Sequence, residues 1–174
     1  MPAISLRPIS ASSLQIPGSD PWHANPNDPA LTVMIDFRER ASVTVLETDS
    51  IDAALEHMKH SGVRCAFAVD SERRVVVGMI TAYDISSEKP MRLMQSLNTK
   101  RSDMLVRDLM QRISEWRVLH IDDLERSTVA TIGRLFDEAR LTHIPVIEKN
   151  IQGEARLRGL LSSAKVKRLL ARHE

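Results

Sequence analysis

Residues 50–70, SIDAALEHMKHSGVRCAFAVD, lie over residues 128–148, TVATIGRLFDEARLTHIPVIE, at a constant offset of 78 (128 − 50). Ser50 falls on Thr128, Ile51 on Val129, Met58 on Phe136, Val63 on Leu141 and Asp70 on Glu148. The register resumes with Gly78 on Gly159 at an offset of 81, so the second copy carries three extra residues (81 − 78). Such a duplication constrains the fold more than any local propensity, because both copies must bury equivalent faces.

Each copy has the same grammar. A β-branched stretch comes first, SVTVLE (42–47) or WRVLHI (116–121). A capped helix follows, with Asp49 or Ser50 in one copy and Ser127 or Thr128 in the other offering an oxygen to open backbone N–H groups. Ile51, Ala54, Leu55 and Met58 recur at i, i+3, i+4 and i+7, one buried helical face, and Val129, Ile132 and Phe136 keep it in the second copy. Short apolar strands are expected at CAFAV (65–69) and HIPVI (143–147), then a polar turn, then VVVGMI (75–80) and RLRGLL (156–161). A last helix starts near Asp84 or Lys165. Val166, Leu169 and Leu170 face inward in the second, and Pro90 marks a helix start in KPMRLMQSL. The fold class is α+β, two tandem β-α-β-β-α repeats. Residues 1–29 form an irregular N-terminal arm, 30–94 the first repeat, 95–105 a connector and 106–174 the second repeat.

Composition narrows the function. Of 174 residues, 43% are hydrophobic but only 3% aromatic, so the core rests on aliphatic side chains and base-stacking platforms are not expected. A net charge of +1 supplies no global field toward nucleic acid or an anionic membrane. Cys65 is the only cysteine, which excludes an internal disulfide. No stretch has the length of a bilayer span, and prolines interrupt the first 29 residues where a signal peptide would need an apolar block. These features predict a soluble, cytoplasmic protein. In the arm, Leu6, Ile9, Leu14, Ile16 and Trp22 are apolar enough to dock on a folded surface.

The order helix, GVRCAFAVD, polar turn, VVVGMITAYDI resembles the CBS domain, named for cystathionine β-synthase. LTHIPVIE with RGLLSSAKV is similar, and VRDLM (106–110) resembles the segment that often introduces such a repeat. The resemblance spans roughly residues 30–174. It implies a pseudo-two-fold CBS pair, or Bateman module, of the stand-alone bacterial type. That implies a regulatory module sensing an adenosine-containing ligand such as AMP, ADP, ATP, S-adenosylmethionine or a dinucleotide, with no obligatory cofactor. Further implied partners are a second copy in a homodimer and an unidentified protein. Neither nucleic acid nor membrane is expected as a partner.

The resemblance also implies a site. In TAYD (81–84), Asp84 would accept both ribose hydroxyls, since an ionised carboxylate offers only acceptors. Thr81 would add a hydroxyl contact. Adenine would lie near Val63, Ala66 and Val45, with backbone around Cys65 and Ala66 reading its edge. The second copy would contribute His143, Ile144, Pro145, Ser162 and Lys165. Lys165 stands where Asp84 stands in the first copy and has donors only, so it is expected to meet a phosphate whose nucleoside sits in the first site. Arg64, Arg140 and His143 are further phosphate candidates. Phe67 replaces the proline seen at Pro145 and would narrow the pocket or stack on a base.

Blander readings stay open. Asp84 alone is also a sound helix cap. The four cationic candidates are also ordinary surface charges. His57 and His60, three apart, have no neighbouring Cys or carboxylate cluster to complete a metal site. No nucleophile–base order or glycine-rich phosphate loop is present, so an enzyme is not expected. The alternative to ligand sensing is a scaffold whose pockets no longer bind.

Overall fold

The computed structural model describes residues 23–72 and 75–171. The expected docking of Leu6, Ile9, Leu14, Ile16 and Trp22 lies outside the described residues. Ala24 is buried and its N–H donates to the Leu169 carbonyl at 3.2 Å, so the end of the arm does dock.

The first half contains β1 (Ile35–Asp36), β2 (Thr44–Leu46), α1 (Ile51–His60), β3 (Cys65–Val69), β4 (Val76–Thr81), α2 (Ala82–Ser86) and α3 (Lys89–Leu97). The second contains α4 (Val106–Leu109), β5 (Gln111–Arg112), β6 (Leu119–His120), α5 (Ile121–Glu125), α6 (Val129–Ala139), β7 (His143–Lys149), β8 (Ala155–Ser162) and α7 (Ser163–Leu170). Two four-stranded sheets result, in the orders β2-β3-β4-β5 and β6-β7-β8-β1.

The duplication is visible in the register. Cys65 pairs with Thr81 and His143 with Ser162. Both central hairpins shift register at matched positions, between Ala68 and Val69 and between Val146 and Ile147. Ser50 and Thr128 cap α1 and α6 through their side chains, as their sequence positions predict.

Each sheet completes itself with a strand from outside its own repeat. β1 pairs with β8, and β5 pairs with β4. Around these crossings, Ala30 N–H donates to Ser127 O at 3.0 Å and Val106 N–H to Asp49 O at 2.8 Å. Glycine makes the crossings fit. A Cβ at Gly78 would lie 2.6 Å from the Met110 sulfur and 2.8 Å from the Gln111 carbonyl. One at Gly159 would lie 2.6 Å from the Met34 sulfur and 2.7 Å from the Ile35 carbonyl. Arg158 of β8 pins β1 further, bonding the Asp36 carboxylate and lying 3.3 Å from Glu148. That guanidinium holds the Asp36 carboxyl below its usual range, against the opposing effect of burial.

The packing therefore crosses the boundaries drawn at residues 30 and 106. Ala30, Val33 and Met34 belong to the core of the second repeat, with Ile132, Phe136 and Val146. Met104, Val106 and Leu109 belong to the core of the first, with Ile51, Met58 and Ile80. An edge strand satisfies its backbone on whichever sheet has an open edge, and here the open edge is the other repeat's.

Other expected bounds shift. The strand expected over 116–121 is only Leu119–His120, because α5 begins at Ile121 with Asp122 and Asp123 in its first turn, where the helix dipole favours acids. The last helix of the first repeat breaks in two at extended Ser87, with Pro90 at the start of α3. That second piece runs to Leu97, into the stretch 95–105 assigned as connector, and stops at left-handed Asn98. Val166 and Leu169 lie fully buried in the second core, on the inward face expected of α7.

Candidate functional site

Strand alternation assigns each side chain to a face. Ala66 and Ala68 point at the helices of the first repeat, while Cys65 and Phe67 point at the other sheet. Cys65, Phe67, Met79 and Leu160 form the buried seam between the repeats, with Phe37 and Trp116 against it. The Phe67 ring meets Phe37 edge-on at 5.6 Å and 86°, and Trp116 at 5.9 Å and 58°. Phe67 is 2% exposed, so it is the floor between the repeats and offers no free face to a base.

An open cleft of about 690 Å3 borders this seam. The first repeat contributes Val43, the turn 61–65 and Phe67. The second contributes His143, Leu160, Ser162, Ala164, Lys165 and Arg168. The crossing segment adds Ile35, Phe37, Arg40 and Ala41. The size suits a small organic ligand, and the wall mixes apolar and cationic groups.

Of the expected site residues, Val63, Arg64, Cys65, His143, Ser162 and Lys165 line the cleft together. Val45 and Ala66 are packed into the helical core of the first repeat, and Ile144 into that of the second. Pro145 is buried opposite Leu160. Arg140 is outside the lining and instead ends α6 with φ 53°, the position where Gly62 (φ 66°) ends α1. Arg40 and Arg168 belong to the lining without having been anticipated. The offset that matches Lys165 to Asp84 also matches Arg168 to Ser87, so the extra cation was visible in the alignment.

Thr81 and Asp84 are outside the lining of this cleft and bond to each other. Thr81 is the N-cap of α2 and Asp84 its third residue, in a reciprocal capping box. The Asp84 carboxylate accepts Thr81 N–H at 3.1 Å and Thr81 Oγ1–H at 2.6 Å. Its other oxygen lies 3.4 Å from Lys89 Nζ. The second copy departs at the same place. Ser162, N-cap of α7, makes no side-chain cap bond, and Lys165 is the third residue. Lys165 Nζ is buried in the cleft wall.

Burial shifts two neutral groups of the cleft. It pushes the Cys65 thiol up to about 12, with the Asp84 charge adding to the effect. It pulls the His143 imidazole down to about 4, with Asp84 opposing. Cys65 is thus an unreactive thiol at neutral pH. Elsewhere, His57 and His60 are both exposed on α1, and His60 Nδ1 lies 2.8 Å from the Glu56 carbonyl. Among the described residues no helix is long and apolar enough to cross a membrane.

The model of the CBS domain matches residues 36–89. Over that stretch the chain carries a CBS domain. The two halves of the chain together have the fold of a CBS pair. A CBS-domain protein from Burkholderia ambifaria superposes with a TM-score of 0.54 at 20% identity, over 78% of this chain and 87% of that one. The CBS-pair protein CBSX2 from Arabidopsis thaliana does so with a TM-score of 0.51 at 22% identity, over 83% and 94%. CBSX2 in complex with AMP gives 0.50 at 22%, over 78% and 90%. No curated protein matches the chain. The match begins at Asp36, the last residue of the crossing strand β1, which pairs with the opposite sheet.

Proposed function

We propose that this chain is a regulatory module that binds an adenosine-type ligand in the cleft between its repeats and thereby changes its contacts with a partner. The observation that carries this reading is the cleft itself, ligand-sized and walled by both repeats, so that occupancy couples their relative placement. A ligand shifts such an equilibrium only by its difference in affinity for the two states. The AMP complex of CBSX2 supports the ligand class. In this reading the nucleotide is a regulatory ligand, not a cofactor, and the chain is not an enzyme. The base sits over Val63, Arg64 and Cys65, and the phosphates reach the cations opposite. Thr81 and Asp84 act as a helix cap.

The proposal extends to assembly as a cytoplasmic homodimer. Met91 and Leu97, 61% and 59% exposed on α3, are the apolar side chains of that helix left for a second copy. Sedimentation across a concentration series checks this, and a concentration-independent monomer rejects it.

Thermal melts against AMP, ADP, ATP, S-adenosylmethionine and NADH test the ligand reading. A specific binder raises the melting temperature in a concentration-dependent way. Flat melts for all five leave the second reading, a scaffold with closed pockets. That reading is favoured by one observation: neither copy presents an uncommitted carboxylate at the position of Asp84 and Lys165.

A further inference from the structure

The duplication gives the open cleft a counterpart. The offsets that match the repeats place Cys65 on His143, Met79 on Leu160, Thr81 on Ser162 and Asp84 on Lys165. Strand pairing extends the match to the crossing segments. Ile35 pairs with Leu160 and Gln111 with Met79, so Ile35 matches Gln111. Val45 pairs with Ala68 and Leu119 with Val146, so Val45 matches Leu119. The first segment therefore spans ten residues (45 − 35) and the second only eight (119 − 111). Trp116 falls opposite the stretch 40–42, whose Arg40 and Ala41 line the open cleft.

The two matched places differ. The shorter segment brings Trp116 against the seam of Cys65, Phe67 and Met79. Its ring lies 5.9 Å from that of Phe67, and its Nε1–H donates to the Gln111 carbonyl at 3.2 Å, which fixes the indole. Thr81 is buried, whereas its match Ser162 is half-buried and lines the open cleft. A second side chain holds the carboxylate. The helix after Thr81 breaks at Ser87, and α3 restarts at Lys89. Lys89 Nζ donates to the Leu109 carbonyl at 2.8 Å and lies 3.4 Å from Asp84 Oδ1. In the second copy α7 runs on without a break, and the residue that matches Lys89 is Leu170, packed against the core.

A nucleoside needs an apolar surface for its flat base and an acceptor for its hydroxyls. Here an indole already lies on the apolar surface, and an ammonium and a hydroxyl already hold the acceptor. We infer that Trp116 and Lys89 are built-in occupants of the second place, so that each chain takes one nucleotide, in the open cleft. A nucleotide enters the second place only when both side chains leave it, and its apparent affinity there falls by the fraction of chains in which they have left. This inference rests on the nucleotide reading above and specifies its stoichiometry.

Calorimetric titration of the full chain with AMP and with ATP tests it, beside the double variant Trp116→Ala/Lys89→Ala. The parent should bind one nucleotide per chain, and the variant should gain a second. Where the parent binds one, a folded variant that gains no second overturns the inference and leaves the nucleotide reading intact, as do two nucleotides per parent chain. A parent that binds none and a variant that binds one support the built-in occupants while removing the open cleft as a nucleotide site. Binding by neither overturns both. Where the variant does not fold, the Trp116 indole in a Trp22→Phe chain decides. Its Nε1–H should exchange with water at least about tenfold more slowly than a free indole, and equally slowly at saturating nucleotide. Exchange as fast as in a free indole, or exchange released by nucleotide, overturns the inference.

Discussion

Thr81 and Asp84 satisfy each other at the head of α2: Asp84 N–H donates to Thr81 Oγ1 at 3.1 Å, and the Asp84 carboxylate accepts both N–H and O–H of Thr81. The first copy keeps its carboxylate to close this box. The second copy, with Lys165, leaves its helix end open toward the cleft.

Asp84→Ala should therefore cost stability more than binding. Loss of the cap should lower the unfolding free energy by about 1 kcal/mol in urea titration. Nucleotide affinity should change by less than about threefold in calorimetry. A loss beyond about tenfold would place a ribose on Asp84 and overturn the assignment as a cap.

The strand exchange makes two glycines structural. Gly78→Ala and Gly159→Ala each drive a methyl group into backbone carbonyl and methionine sulfur closer than 3.0 Å. Each should cost about 1–3 kcal/mol as overpacking, read from the shift in urea midpoint. Equal stability to the parent would mean that the crossing strands do not lie against these sheets in solution.

Gly62 and Arg140 end equivalent helices with the same left-handed backbone. Only glycine adopts it without a Cβ penalty. Arg140→Gly should stabilise the protein by up to about 1 kcal/mol in thermal unfolding, and Gly62→Ala should destabilise it by a similar amount. Opposite signs are the content of the prediction, since a Cβ at Gly62 meets no neighbour within 4 Å that could confuse the reading.

His143 links stability to pH. Burial lowers its folded pKa to about 4, whereas the unfolded chain titrates at its ordinary value of 6.5. Between these values the unfolded state binds the extra proton, so stability is full above about pH 6.5 and falls as pH drops toward 4. The loss should be about 1–3 kcal/mol, read from urea midpoints across that range. His143→Gln should flatten this part of the profile. An unchanged slope in that variant would assign the acid sensitivity to other groups.

The duplicated strands, both capped helices and their buried faces were legible because each follows from neighbours in sequence: Ser50 and Thr128 cap, and Ile51, Met58, Val129 and Phe136 bury. The short strand before α5 was misread in length because an apolar run beginning at Trp116 carries no signal that Asp122 and Asp123 start a helix inside it. Of the expected site residues, Val63, Arg64, Cys65, His143, Ser162 and Lys165 line one cleft, whereas Val45, Ala66 and Ile144 pack into the helical cores. A continuous apolar run such as CAFAV does not reveal which alternate residues face helices and which face the other sheet.

By itself, the sequence determined two copies of one β-α-β-β-α unit, their caps and the departure of Lys165 from Asp84, all of them local consequences of hydrogen bonding and side-chain period. Only the tertiary structure decided that the copies exchange edge strands, that Phe37, Phe67 and Trp116 join the two repeats, and that the entry to β3 shares its cleft with α7. Those pairings lie across the chain. Their free energy comes from open sheet edges and apolar faces finding each other in three dimensions, and the spacing of residues along one copy carries no record of which partner they find.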